Sequence, residues 1–334
     1  MSLLQQAPRF DTAHAARLAR DMYGLDAAAA VLPSERDQNF LLTTGAGERF
    51  VLKIANATEH RAMLEAQNAA MVHAARRVPL CPRVLPTLAG DTIAVAPGGD
   101  HLVRLVTYLH GVPLAEAGPR TPALLESLGR AVGRLDAALA DFDHPAIHRD
   151  FHWDLARAAR VIDDYLPLIR DANDRQLVQR VSAAAIQEVE KYSRAFRRSA
   201  IHNDANDRNV LVGSAANPKS LIPNPEVVGI IDFGDMVHSW TVADPAVAVA
   251  YAILNGTDPQ ATAAPIVSGY HAEHPLRDEE LAALFPLATL RLCMSACIAA
   301  WQQQQRPDDE YLGVSQEPIR RTLPLLEKLV ESRA

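Results

Sequence analysis

The rhythm of apolar and polar positions changes near residue 110. Before it, alternating and β-branched runs predict strands over 29–32, 38–44, 49–54, 83–95 and 101–109. Gly45-Ala46-Gly47-Glu48 reads as the hairpin tip between the second and third of these, and Pro97-Gly98-Gly99-Asp100 as a turn before the last. Helical spacing occurs twice in the same stretch: over 11–23, stopped by Gly24, and over the alanine-rich 58–77. Beyond His110-Gly111 the spacing is helical over 121–142, 152–171, 173–198 and several segments from 243 onward. The only strands expected there are 209–212 and 227–232, a hairpin whose polar, proline-bearing loop (214–226) reads as a mobile surface turn. The pattern predicts an α+β chain of two units, 1–109 with an antiparallel sheet plus a helix, and 110–334, mostly helical. Neither an internal repeat nor a low-complexity tail is visible.

Composition narrows this picture. A chain of 334 residues suits roughly two domains. Hydrophobic residues make up 49% but aromatics only 5%, so alanine, leucine and valine must carry much of the packing. The formal charge of −7 comes with no basic stripe, which argues against a nucleic-acid partner. It also suits a cationic substrate. Three cysteines are an odd, sparse set and point to a reducing compartment. Cys293 and Cys297, four apart, share a helix face and read as small core residues. The first residues lack a basic region followed by an apolar run, and no uncharged apolar stretch reaches the length of a membrane span. The expectation is a cytoplasmic protein without a membrane partner.

Candidate chemistry concentrates in two segments. Ile201 to Val212 contains His202-x-Asp204-x-x-x-x-Asn209, and Gly229 to Asp235 reads Gly-Ile-Ile-Asp-Phe-Gly-Asp. Together they offer one proton acceptor and two oxygen ligands for magnesium on neighbouring loops. Phosphoryl transfer from a magnesium nucleotide needs those parts, because positioning and charge neutralisation supply most of its catalysis. Asp204 is the candidate general base toward a substrate hydroxyl. Asn209 offers an amide oxygen and Asp232 a carboxylate to Mg²⁺, which prefers hard oxygen ligands and retains some water. Taken singly, these are ordinary loop residues; their joint spacing between apolar strands is what carries the reading. His202, two residues from the base, is expected to fix the loop by hydrogen bonds.

In the first unit, Lys53 lies in the apolar strand Phe50-Val51-Leu52-Lys53-Ile54. A lysine there snorkels or meets a charged partner. The functional reading is a grip on the nucleotide phosphates, held by Glu65 on the next helix, with Glu59 as the runner-up. There is no G-x-x-x-x-G-K-[ST] and no G-x-G-x-x-G. Instead, Ser34-Glu35-Arg36-Asp37-Gln38-Asn39 occupies the place of a phosphate-covering loop, with Ser34, Arg36 and Asn39 as candidate contacts. His148-Arg149-Asp150 imitates a kinase H-R-D but is followed by Leu155 where asparagine is needed. His144, His148, Asp150 and His152 mix a loop and a helix start without a coherent metal-ligand face. Trp153-Asp154 is expected to cap and anchor the helix there.

On these residues the chain resembles the aminoglycoside phosphotransferase/choline kinase-like small-molecule kinases. More narrowly, Leu32 to Phe40, Val103 to Leu109, Phe151 to Leu155 and Gly229 to Met236 resemble hydroxylysine kinases. The likeness runs from about residue 8 to 330. It implies a two-lobed protein-kinase-like fold, with the nucleotide base against backbone groups around Thr107 to Leu109. It also implies a small amino alcohol acceptor beside Asp204, and GTP as well as ATP as a possible donor. The chain departs from relatives at Asn203-Asp204-Ala205-Asn206 and at Ala243-Asp244-Pro245-Ala246. Asp244 is expected to cap the next helix and brace the loop.

An ammonium-bearing acceptor calls for nearby carboxylates, for which Asp207 and Asp235 are nearest in sequence. The leading acceptor is 5-hydroxylysine; homoserine, choline, ethanolamine and aminoglycosides are the alternatives. A nucleotide-binding pseudokinase acting as an interaction module is the reading from another class. Protein-kinase activity is disfavoured, because no A-P-E follows the D-F-G.

Overall fold

The structure is a computed structural model that describes residues 8–34, 37–213, 225–305 and 315–331. The expected loop contact Arg36 and most of the 214–226 loop lie outside the described residues. The chain divides into two compact units, 1–110 with 144–146, and 111–143 with 147–334.

The first unit opens with α1 (Thr12–Tyr23), capped by the Asp11 carboxylate and ended by Gly24 in the left-handed conformation, φ 67°. A meander follows: β1 (Ala27–Leu32), β2 (Gln38–Thr44) and β3 (Arg49–Ile54). Then come α2 (Arg61–Ala74), the two-residue strands β4 (Val84–Leu85) and β5 (Ala94–Val95), and β6 (Leu102–Thr107). The strands pair antiparallel in the order β1-β2-β3-β6-β4, with β5 also on β6. The continuous strand expected over 83–95 is therefore two short pieces around a turn, since Pro86 and Gly90 interrupt the run. Alternate residues Phe40, Leu42, Leu52, Ile54, Val103 and Leu105 form one core with Ala15, Leu18 and Ala19 of α1. Lys53 falls between two core positions and belongs to the opposite face of the sheet. Its register partners are Asn39 on β2 and Arg104 on β6. Arg104, 4% exposed, reaches α2, donating to Asn68 Oδ1 at 3.0 Å and to Gln67.

The second unit holds β7 (Val112–Pro113), α3 (Pro122–Leu139), α4 (Ala158–Tyr165) and α5 (Ala172–Tyr192). The strands β8 (Arg198–Ile201), β9 (Val210–Gly213), β10 (Glu226–Ile230) and β11 (Val237–Trp240) follow. Then come α6 (Ala243–Ala252), α7 (Pro259–Glu273), α8 (Asp278–Gln305) and α9 (Gln316–Glu331). The expected hairpin is present as β9–β10, extended by β7, but it is not alone. β8 pairs antiparallel with β11, Ile201 opposite Val237 and Arg198 opposite Trp240. The helix expected to run to 198 stops at Tyr192, because this nonlocal pairing claims the residues after it. The helix expected over 152–171 shrinks to α4 flanked by 3-10 turns at Leu155–Arg157 and Leu166–Leu168.

All ten residues of α6 are buried, and α8 carries buried residues on every face. α8 is long and apolar enough to cross a membrane, yet its apolar stretch is mostly buried inside the protein and includes Arg291. α3 and α7 pack closely through glycines, since a Cβ on Gly133 would lie 2.9 Å from the Tyr270 carbonyl oxygen.

Candidate active site

The segment between β8 and β9 carries the loop 202–209, and β10 leads directly into Asp232. The loop is tied to that strand by the Ile231 N–H, which donates to the Asn209 carbonyl at 2.9 Å. Two non-glycine residues take positive φ here, Asn203 at 65° and Asp232 at 64°. Such strain persists only where surrounding bonds over-determine it. For Asn203 those bonds are visible: its N–H donates to Asp244 Oδ1 at 2.5 Å, and its amide donates to the Asp235 carbonyl at 3.2 Å.

Asp204 is held by three side chains. Oδ1 accepts from Arg291 at 3.0 Å and from Asn206 at 2.9 Å. Oδ2 accepts from the Asn209 amide at 2.7 Å, and the same amide reaches the Asp204 carbonyl at 3.1 Å. Asn206 Oδ1 in turn accepts the N–H groups of Arg208 and Asn209, closing the loop on itself. Burial raises the Asp204 pKa, and the charge of Asp235 raises it further. Arg291 and Asn206 pull it down, and the charge of Asp232 adds a smaller upward push. The charges of Asp235 and Asp232 thus both act on Asp204.

Arg291 escaped the sequence reading. It is 1% exposed on α8, with its guanidinium 4.4 Å from the Trp153 ring centre and 5.8 Å from that of Tyr251. It also donates to the Trp153 carbonyl at 3.2 Å. The only local signal was a lone arginine in the apolar run of 278–305, which must find a partner once buried. Its partner, 87 residues earlier, is invisible in any window.

His202 is fully buried and neutral. Its Nδ1 accepts from the Asp204 N–H at 3.3 Å, so Nε2 carries the proton toward the Ile231 carbonyl at 3.1 Å. Burial lowers its pKa. Asp207 is engaged by Arg120 at 2.8 Å, and Arg120 also caps α6 through the carbonyls of Tyr251 and Ala252. Asp235 is 7% exposed beside Asp204. Asp244 braces the loop but does not cap α6, whose N-cap is Val242. It lies within the first turn and accepts from His202 N and Asn203 N. Asp154 accepts from Ala156 N at 3.0 Å as the N-cap of the 3-10 turn at Leu155–Arg157, and from Ser239 Oγ.

The H-R-D imitation serves packing. Arg149 donates to the carbonyls of Gly234 and Met236, pinning the turn after Asp232, and Asp150 pairs with Arg160. Among the described residues no group of three or more His, Cys, Asp or Glu side chains could hold a metal. In the first unit, Glu65 faces Arg61 on its own helix at 3.8 Å. Ser34 is exposed. The buried Asn39 Oδ1 receives no hydrogen bond from the described residues. Thr107 ends β6, its Oγ accepting from Arg83 N at 2.9 Å, and Leu109 two residues on is half-buried.

Residues 29–284 match the profile of the Phosphotransferase enzyme family (APH). The chain is 31% identical over 329 residues to the hydroxylysine kinase of Bos taurus, covering 92% of this chain and 87% of that protein. It is 30% identical to the hydroxylysine kinase of Mus musculus over the same shares. Among solved structures, a microcompartment-associated aminopropanol kinase superposes with a TM-score of 0.74 at 20% identity, covering 96% of this chain and 98% of that one. An amicoumacin kinase follows with a TM-score of 0.67 at 16% identity, covering 97% and 94%. The two-unit, antiparallel α+β architecture is accordingly the kinase-like fold of those neighbours. The chain belongs to the phosphotransferase enzyme family and is a small-molecule kinase with an alcohol group as acceptor.

Proposed function

We propose that the protein transfers the γ-phosphate of a magnesium nucleotide to the hydroxyl of an amino alcohol, 5-hydroxylysine first. The observation that carries this is the 204–209 loop. Its Asn209 amide nitrogen is committed to Asp204, while none of the hydrogen bonds among the described residues uses the amide oxygen. That oxygen and the exposed Asp232 carboxylate, on segments joined through Ile231 N–H, form a fitting pair of hard ligands. Two protein ligands suit magnesium, which retains waters and takes phosphate oxygens. When bound, such an ion neutralises charge on the transferring phosphate.

Asp204 accepts or orients the acceptor's hydroxyl proton, and its raised pKa suits a proton acceptor. Arg291, Asn206 and Asn209 hold its two oxygens so that little reorganisation is needed. Asp235 and Asp232 make the surroundings of Asp204 negative, which favours an acceptor bearing an ammonium group. Lys53, on the polar sheet face of the first unit, is the assigned phosphate contact. Hydroxylysine kinases at about 30% identity across most of the chain support the choice of acceptor.

A coupled assay crossing ATP and GTP with 5-hydroxylysine, homoserine, choline, ethanolamine and kanamycin tests the reading. 5-Hydroxylysine should show the highest kcat/KM. Inert 5-hydroxylysine beside good turnover of choline or kanamycin would reassign the acceptor. Asp204→Asn should cost at least ~10²-fold in kcat with nucleotide affinity little changed.

A further inference from the structure

Two carboxyl groups meet in the interior behind the 202–209 loop. Asp136 on α3 and Asp244 on α6 are both fully buried. Asp244 commits one oxygen to His202 N–H at 2.8 Å and the other to Asn203 N–H at 2.5 Å, the two residues that lead into Asp204. Asp136 Oδ2 accepts from the Tyr270 hydroxyl at 2.6 Å. Its Oδ1 is buried and receives no hydrogen bond from the described residues, while Asp244, on the helix packed against α3, is near enough for the two carboxyl groups to act on one another. Two ionised carboxylates cannot hydrogen-bond to one another, because each is an acceptor only. Buried like charges so close leave one group protonated.

The donor sets favour Asp136 as the carrier of that proton. Asp244 already receives two N–H donors, which favour its anion, whereas Asp136 has one donor and one bare oxygen. A proton on Oδ1 fills the missing bond. The groups facing Asp136 are Asp244 from α6, Tyr270 from α7 and Arg197 from just before β8. Arg197 is itself committed to the fully buried Glu280, at 2.9 and 2.6 Å. Burial, then the negative charge of Asp244, raise the Asp136 pKa well above the carboxylate range. The glycine-lined approach of α3 to α7 is what brings the Tyr270 hydroxyl within reach.

We propose that Asp136 is a positioning residue of the phosphotransfer loop, a carboxylic acid that keeps its proton at neutral pH and donates it from Oδ1 to Asp244. The bond orients Asp244 toward the two N–H groups that hold Asn203 in its positive-φ conformation. The kinetic consequence rests on the assignment of Asp204 as base; the position of the proton does not.

Asp136→Asn and Asp136→Leu separate the two. Asparagine keeps a donor for Asp244 and an acceptor for Tyr270 but cannot ionise; leucine keeps bulk only. With its pKa raised in the folded state, Asp136 contributes stability that is complete below its unfolded pKa near ~3.9 and is lost as pH rises toward the folded value. D136N has no such loss. The melting temperature of D136N should therefore gain on wild type steadily from about pH 5 to about pH 8, up to tenfold in the folding constant per pH unit. A gap that stays flat or narrows overturns the proposal.

With Mg-GTP and 5-hydroxylysine, D136L should lose roughly 10- to 100-fold in kcat with KM nearly unchanged, and D136N should recover most of it. D136N as impaired as D136L would overturn the positioning role. If D136L fails to fold, the D136N melts still decide. Full activity in D204N would overturn the loop assignment and the kinetic half of this proposal, while the melts would still locate the proton.

Discussion

Asp204 and Arg291 form a pair in which one partner is buried and the other nearly so, with side-chain exposures of 19% and 2%. Removing one charge from such a pair strands the other, at a cost of about 3–5 kcal/mol. Asp204→Ala should therefore destabilise the protein more than Asp204→Asn, whose amide oxygen still accepts from Arg291; urea denaturation of the two variants measures the difference. Arg291→Met should lower kcat more than it raises KM, since it frees Asp204, the proposed base, without removing an assigned substrate contact. His202 supplies a pH signature of opposite sign to that of Asp136. Its folded pKa is lowered, so its contribution is complete above its unfolded pKa near ~6.5 and is lost as pH falls below it. Melting curves from about pH 7 down to about pH 5 should fall less steeply for His202→Gln than for wild type. His238 and His274, also lowered by burial, add the same slope to both proteins.

At the scale of elements, the seam between α3 and α7 decides whether Tyr270 reaches Asp136. A Cβ on Gly129 or Gly269 would collide with backbone atoms of the facing helix, where no rotamer change can relieve it. Gly129→Ala should cost about 1–3 kcal/mol by overpacking, read as a lower melting temperature. Gly45→Ala, where a Cβ meets nothing within 4 Å, is the control expected to stay near wild type. The amphipathic helices and the meander were legible because their hydrophobic periods are local. The pair β8–β11 was not: each strand is four residues long, and each gains its partner across more than thirty residues of chain. The segment 83–95 misled for the converse reason, as an apolar run whose Pro86 and Gly90 forbid a continuous ladder.

For the whole molecule, binding is linked to stability. Mg-GTP at about 100 times its Kd should add about 2.7 kcal/mol to the folded state, seen as a rise in melting temperature. Excess EDTA should remove most of that rise, and Asp232→Asn should reduce it, because the first withdraws the metal and the second alters one of its assigned ligands. A rise that survives EDTA intact would argue that nucleotide binding does not use them. Packing around α8 belongs to the same scale. Its apolar composition fits a membrane or a core equally well, and only the helices packed against it, α4, α5, α6 and α9, make it a core helix that presents Arg291 to the loop.

The sequence by itself determined the fold class and the family, and it singled out His202, Asp204, Asn209 and Asp232 as the candidate site. Those depend on short-range spacing, which local sterics and hydrophobic period translate directly into loops and strands. It also singled out Asp244, though not its two N–H partners. Tertiary structure alone decided what these residues touch: Arg291 on Asp204, Arg120 on Asp207, Arg149 on the turn after Asp232, and Asp136 behind Asp244. Each of those contacts joins residues far apart in the chain, and each forms because a charged or polar group, once buried by the packing of its element, must find a partner in whatever the fold places beside it.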